Sequence, residues 1–324
     1  MSTELDVRGG QEPNLLAAAI LPQLVEECRG CLHDPAWFRT DWQRGGAATA
    51  TATWRHDDGT ECGVILKFPV VERELRWTRQ LQSPDDDPSP IVPRLFASGD
   101  TLAGYDIAWV VIEGLPHGPL GTRWHDDHIP RLADAAARFS AAAQPYEVDR
   151  VPIAEPWDEI LEEAAKSVKV NRIHDEQRWT GTLKSLGKVA DRVVREWRSR
   201  PITEWIHGDL HFANAMSRES MDAGPVTLID FAEVRAGHWV EDAVYVERQL
   251  WARAERLATN KPVRLIAKAR KELGLPVDEL YPRLATIRRA LYAAAAPKYI
   301  RSEGSPRHLA ACLERLEAAL PELK

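Results

Sequence analysis

The stretch from His207 to Phe231 concentrates the side chains of this chain that can do chemistry. It begins His207-Gly208-Asp209-Leu210-His211-Phe212-Ala213-Asn214, passes a turn at Asp222-Ala223-Gly224-Pro225, and ends Leu228-Ile229-Asp230-Phe231. Asp209 and Asn214 stand five residues apart on one loop, and a short hairpin brings Asp230 back towards them, so three oxygen-bearing side chains can converge on one point. Such a set suits metal-assisted phosphoryl transfer: one carboxylate accepts a hydroxyl proton, while an amide oxygen and a second carboxylate hold Mg²⁺ on nucleotide phosphates. Any one of these residues alone reads as a strand end with a satisfied carboxylate or a capping histidine. It is the ordered set that points to chemistry.

A loop of this kind needs elements to hold it and a separate grip for the phosphates. Upstream, Ala48 to Trp54 alternates small and β-branched residues, Asp57-Asp58-Gly59-Thr60 makes a turn, and Cys62 to Phe68 is a second apolar run, which together predict a β-hairpin. Lys67 lies on the second strand, and strand alternation puts Ile65 on the same face, where it can roof a flat base while Lys67 reaches phosphates. A helix is predicted from Glu72 to Leu81, with Glu74, Trp77, Thr78 and Leu81 on one face, so that Glu74 can turn inward to Lys67 with Glu72 as a competing partner. Before the hairpin, Gly45 and Gly46 either bring backbone N–H groups close to phosphate or simply make a turn. Further strand signals fall at Arg94 to Ala97 and Ile107 to Ile112. Residues Glu12 to Leu32 read as one or two short helices interrupted at Pro22, a packing extension. After Glu113-Gly114-Leu115-Pro116 the character changes, and helical stretches from Ile129 to Ala143 and Trp157 to Arg198 surround one β-type island at Trp205 to Asp230.

Composition agrees with a globular enzyme: 324 residues, 44% hydrophobic and 28% charged. A net charge of -7 argues against a dedicated nucleic-acid binder. No apolar run approaches the ~20 residues of a membrane-spanning helix, the first residues are polar rather than signal-like, and a cytoplasmic location is the expectation. The 4 cysteines are too few and too scattered for a disulfide framework. The charge is uneven. Glu155, Asp158, Glu159, Glu162 and Glu163, with Glu241 and Glu247, form an acidic set that can attract a polycation. The basic end of the chain, including Arg283, Arg288, Arg289, Lys298 and Arg301, can attract an anion; both sets can equally be solvated helix faces. Of 12 tryptophans, Trp157, Trp179, Trp197, Trp205, Trp239 and Trp251 fall in the helical part, as sugar-stacking faces or as core.

The His207 to Asn214 and Ile229 to Phe231 segments are a variant of the protein-kinase order H-R-D-x-x-x-x-N then D-F-G, with Gly208 in place of Arg and Ala232 in place of the last Gly. In detail they resemble the H-G-D-x-H-x-x-N and I-D-F/W motifs of the aminoglycoside phosphotransferase superfamily of kinase-like small-molecule phosphotransferases, to which choline, homoserine and fructosamine kinases look similar here. Gly237 and Asp242 match that family's G-x-x-x-x-D-x-A. The resemblance implies that Asp209 is the catalytic base, that Asn214 and Asp230 bind Mg²⁺, and that Asp242 braces the catalytic loop. His207 is then a structural member of the loop, and His211 either helps neutralise the transferring group or packs the loop. Lys67 occupies the place of the kinase phosphate-binding lysine, and Glu113 and Leu115 look like the inter-lobe hinge where adenine meets main-chain groups.

The fold so implied is α+β and protein-kinase-like with two lobes: a helical extension over 1–35, an N-lobe of antiparallel sheet plus helix over 36–112, a hinge at 113–116 and a mainly helical C-lobe over 117–324, the site lying between the lobes. The implied activity is Mg-ATP-dependent phosphorylation of a hydroxyl on a small molecule, with GTP as an open alternative donor. The acceptor is expected to be an aminoglycoside or other antibiotic, as for a resistance enzyme, or else a sugar, amino alcohol or other metabolite. An idle kinase-like binding protein is the contrasting reading, and the presence of Lys67, Asp209, Asn214 and Asp230 together speaks against it. A protein kinase proper would need an A-P-E motif and a long segment after Asp230, and neither is present.

Overall fold

In the computed structural model, which describes residues 15–38, 47–84, 86–149, 155–257 and 259–324, the chain first forms α1 (Leu15–Glu27), β1 (Leu32–Phe38), β2 (Ala48–Arg55) and β3 (Glu61–Phe68). There follow α2 (Glu72–Gln80), β4 (Leu95–Gly99), β5 (Trp109–Glu113), α3 (His128–Ala143), α4 (Trp157–Val170), α5 (Glu176–Gly187) and α6 (Ala190–Arg198). Short strands come next: β6 (Glu204–Ile206), β7 (Ala215–Ser217), β8 (Val226–Leu228) and β9 (Arg235–Gly237). The rest is helical: α7 (Val240–Gln249), α8 (Ala254–Leu257), α9 (Pro262–Glu272), α10 (Tyr281–Ala295), α11 (Ile300–Glu303) and α12 (Pro306–Leu323). No helix of the described residues is long and apolar enough to cross a membrane.

The chain divides into two compact units, Met1–Arg123 with Ala213–Val234, and Trp124–Phe212 with Arg235–Lys324. The sequence put the lobe boundary at 113–116, whereas here 117–123 and the β7–β8 hairpin group with the sheet. Backbone pairing gives the reason. The Ser217 N–H donates to the His117 carbonyl at 2.7 Å, Leu120 N–H to Ala215 at 2.8 Å, and Leu228 N–H to Ile91 at 2.8 Å. Both edges of the hairpin are thereby satisfied within the sheet-bearing unit.

In that unit an antiparallel sheet has the order β1-β2-β3-β5-β4. The β2–β3 turn closes on Gly59 at φ 84, with the Thr60 N–H and hydroxyl both on Asp58 Oδ1 at 2.9 and 2.6 Å. Alternation then sorts β3: Val64, Leu66 and Phe68 are buried with Ala50, Ala52 and Val111 against Ile20 and Leu24 of α1 and Cys28 just after it, while Ile65 and Lys67 share the opposite, half-buried face. Helix α2 buries Leu75 against Val70 and Val110.

Two features of the N-terminal segment depart from expectation. Helix α1 runs through Pro22 rather than stopping there. Residues 32–35, assigned from sequence to the helical extension, open strand β1 instead. The register of β1 shifts between His33 and Ala36, where Asp34 has φ 50. This bulge carries Pro35, which donates no hydrogen bond and is tolerated because β1 is an edge strand.

In the second unit the opposed charge sets meet at three ion pairs. Glu155 accepts from Arg288 at 2.6 Å, Glu247 from Arg289 at 2.8 Å and Glu163 from Lys298 at 2.8 Å. Arg283 pairs with Glu196 at 2.7 Å, and Glu241, 2% exposed, is held by Arg200 and Arg235, each at 2.8 Å. Arg288 is buried with its guanidinium 4.7 Å from the Trp197 ring centroid and 4.0 Å from that of Tyr292. These pairs take up part of each set, while Asp158, Glu159, Glu162 and Arg301 stay exposed on their helices. Trp157, Trp179, Trp197, Trp205, Trp239 and Trp251 are all buried, which makes them core rather than sugar-stacking faces, while Trp124 of the same unit is half-buried.

Candidate active site

Lys67 stands on β3 opposite Thr49 of β2 and Val110 of β5, so two neighbouring strands fix its position. Its Nζ lies 2.7 and 2.9 Å from the two carboxylate oxygens of Glu74. Glu74 is on the buried face of α2 with Leu75, Trp77 and Thr78, whereas Glu72 is exposed, so helix phase chooses between the competing glutamates. Burial raises the pKa of Glu74, and Lys67 opposes that rise. The same Nζ is 3.7 Å from Asp230 Oδ1. Ile65 shares the face of Lys67 and is half-buried. Gly45 and Gly46 lie outside the described residues.

Asn214 and Asp230 sit at the open end of the β7–β8 hairpin. Ala215 pairs with Leu228, and the Ile229 N–H donates to the Asn214 carbonyl at 3.0 Å, which holds the two side-chain-bearing residues beside each other. Asn214 is buried at 6% exposure. Asp230 has a left-handed backbone at φ 65 and a side chain 44% exposed.

Glu113 ends β5. Arg218, on the hairpin, donates to both Glu113 carboxylate oxygens at 2.8 and 2.6 Å and to the Pro90 and Val92 carbonyls at 3.0 and 3.1 Å. The predicted hinge and the hairpin that presents Asn214 and Asp230 are thereby joined by one guanidinium. At Gly114 the backbone approaches so closely that a Cβ would meet the Gly63 carbonyl at 2.9 Å. Leu115, which follows, is half-buried. Nothing in the composition around Arg218 singles it out; its partner is 105 positions away.

The loop of the second unit leaves β6 at Ile206. His207 is buried, its ring 5.8 Å from that of Phe139 on α3, and Gly208 has φ 80, a conformation that favours glycine. The N–H groups of His207 and Gly208 donate to Asp242 Oδ2 and Oδ1 at 2.8 and 3.0 Å. Burial pushes the Asp242 carboxyl up to about 7, against Arg235 and these two N–H donors. Asp209 accepts from the Tyr245 hydroxyl at 2.9 Å, and its other oxygen is 3.3 Å from His211 Nε2. Although burial pushes upward, these partners, His211 foremost, bring the Asp209 carboxyl down to about 2. Asp209 is therefore a carboxylate at neutral pH, 30% exposed. Tyr245 was not anticipated from sequence; its position three residues after Asp242 on the same helix is the signal that would have found it.

Asp242→Asn is expected to cost about 1–3 kcal/mol, because the amide turns an NH₂ towards one of the two backbone donors and leaves it unsatisfied. A lower denaturant midpoint at unchanged slope checks this, and an unmoved midpoint would mean that the loop is held by other contacts.

With this geometry in place, comparison with known proteins is informative. The phosphotransferase enzyme family matches residues 65–263, which take in Lys67, Glu74, Asp209, Asn214, Asp230 and Asp242. No curated protein matches the chain. An aminoglycoside phosphotransferase from Alicyclobacillus acidocaldarius aligns over 98% of this chain and 98% of its own, with a TM-score of 0.59 and 15% identity. A thermostable mutant of the aminoglycoside phosphotransferase APH(4)-Ia, in a ternary complex with AMP-PNP and hygromycin B, aligns over 94% and 98%, with a TM-score of 0.53 and 12% identity. Spectinomycin phosphotransferase APH(9)-Ia, in complex with ADP and spectinomycin, gives the same coverage, 94% and 98%, again at TM-score 0.53 and 12% identity. At such identities the likeness establishes the fold, which is α+β and kinase-like. Since the family match itself spans more than half of the sequence, the chain belongs to the phosphotransferase enzyme family.

Proposed function

We propose that the chain transfers the γ-phosphoryl group of ATP, as its Mg²⁺ complex, to a hydroxyl of a small molecule. The observation that carries this reading is the Asp209 carboxylate, ionised and held at both oxygens, on a loop that continues into Asn214 and the hairpin bearing Asp230. In this reading Asp209 accepts a hydrogen bond from the acceptor hydroxyl and aims its oxygen at phosphorus. A carboxylate of such low basicity does not strip an alcohol beforehand. It takes the proton as the new O–P bond drains electron density from the oxygen, which fits a loose transition state in which positioning and charge neutralisation dominate. Lys67, oriented by Glu74, supplies the fixed cation for the phosphates, and His211 places its Nε2 3.3 Å from the reacting carboxylate.

The donor set fits Mg²⁺. Among the described residues no group of three His, Cys, Asp or Glu makes an all-protein cage, and one carboxylate plus one amide oxygen is the complement this ion takes when phosphates and water complete its shell. Asp230 and Asn214 would hold it. Bound there, Mg²⁺ supplies charge neutralisation at the phosphate oxygens.

For the acceptor, the hygromycin B and spectinomycin complexes of the relatives favour an aminoglycoside or related antibiotic, with sugars, amino alcohols and other metabolites next. The deciding experiment is ADP release from Mg-ATP, and from Mg-GTP in parallel, across a panel of these compounds. Phosphorylation of one acceptor class, lost in Asp209→Asn, is the expected result. Failure to bind either nucleotide would overturn the assignment of the Lys67, Asn214 and Asp230 set.

A further inference from the structure

One face of α7 follows the loop from His207 to Leu210 residue by residue. Asp242 takes the N–H groups of His207 and Gly208, Tyr245 donates to the Asp209 side chain, and Gln249 Nε2 donates to the Leu210 carbonyl at 3.2 Å. Positions 242, 245 and 249 are spaced i, i+3, i+7, which places them on one stripe of the helix. Asp242 and Gln249 act on main chain, whereas Tyr245 alone of the three touches the reacting carboxylate.

We propose that Tyr245 is a positioning residue for the transfer, its hydroxyl fixing the plane of the Asp209 carboxylate so that one oxygen faces the acceptor; this rests on the reading of Asp209 given above. The terminal torsion of an aspartate is broad and two-fold, so a partly exposed carboxylate held at one oxygen turns readily. Contacts at both oxygens, Tyr245 at 2.9 Å and His211 at 3.3 Å, define its plane. The tyrosine is a dependable donor, since burial and the neighbouring Asp209 charge hold its pKa well above the ordinary value. Its ring also packs, with centroids 6.5 Å from both His211 and Tyr292, so Phe retains the packing and loses only the hydroxyl.

Tyr245→Phe is expected to lower kcat about tenfold, with KM for ATP and acceptor nearly unchanged and the melting temperature held. In an Asp209→Asn background the same substitution is expected to add no further loss, because the group it positions is already gone. An unchanged kcat, or an equal loss in both backgrounds, would overturn the proposal; full activity in Asp209→Asn alone would overturn the functional reading with it. A crystal structure of Tyr245→Phe gives a reading that needs no acceptor. A rotated or split Asp209 carboxylate supports the role, and an unmoved one excludes it.

Discussion

Asp209→Asn is expected to reduce kcat by about 10³-fold while KM for Mg-ATP moves by no more than about twofold. Asparagine keeps the size of the side chain, and its oxygen can still accept from Tyr245, but the second position becomes an NH₂ that can neither take a proton nor accept from an alcohol. The fold of the loop survives the change, because its backbone is tied through His207 and Gly208 to Asp242 rather than to Asp209. Nucleotide affinity survives as well, because Lys67, Glu74 and Asp230 make their contacts to one another in the other compact unit. Steady-state kinetics set beside calorimetric Mg-ATP binding decide the matter. Equal losses of turnover and affinity would move Asp209 from the acceptor to the nucleotide.

The parts of this molecule that could be read in the sequence are those whose periodicity is local and unbroken. The Ala/Thr alternation of β2 and the Asp58-Gly59 turn announce the hairpin, and the register Ala50 to Leu66 and Thr49 to Lys67 follows from that alternation. Helix phase in α2 placed Glu74 on the inward face but left Glu72 in competition, and the structure settles the pairing with Lys67 on Glu74. Strand β1 was not, because Asp34 and Pro35 insert a bulge that breaks its alternation, and the apolar spacing before it looks helical as far as Leu32. Strands of three residues such as β9 carry no period at all; Arg235–Gly237 is recognisable only by its pairing with β6.

Electrostatics were the least legible. Read along the chain, Glu155 to Glu163 and Arg283 to Arg301 are two fields of opposite sign, each able to suggest its own acceptor. In three dimensions they meet at two pairs, Glu155–Arg288 and Glu163–Lys298, while Arg283 and Arg289 turn to Glu196 and Glu247. A charge run reports a field only if nothing folds back on it, and sequence does not say what folds back. The buried Glu155–Arg288 pair is costly to break and weak as evidence of extra stability, since the desolvation of both ions offsets much of their attraction. What the pairs do here is take part of each set out of either field, so that the panel experiment is what identifies the acceptor class.

Lys67→Ala is expected to lower kcat/KM for ATP by about 10²–10³-fold, the range for removing one preorganised donor from a developing or bound oxyanion. The same substitution has a second consequence that sets it apart from a simple loss of affinity. Glu74 is buried, its pKa is already raised by burial, and Lys67 is the group that opposes the rise. Without the amine the carboxyl moves further up. A carboxyl whose folded pKa exceeds its unfolded one contributes stability that is fully present below the unfolded value and is lost as pH rises through the folded one. The variant is therefore expected to lose stability relative to the native chain as pH climbs from the ordinary glutamate range towards neutrality, and to recover it on acidification; adding Glu74→Gln should flatten that dependence without restoring turnover. Denaturant midpoints of the three proteins across that pH range, read beside ATP kinetics, test both halves. An undiminished kcat/KM would show that another residue grips the phosphates, whereas lost turnover with a pH-independent midpoint would separate the phosphate role of Lys67 from its hold on Glu74.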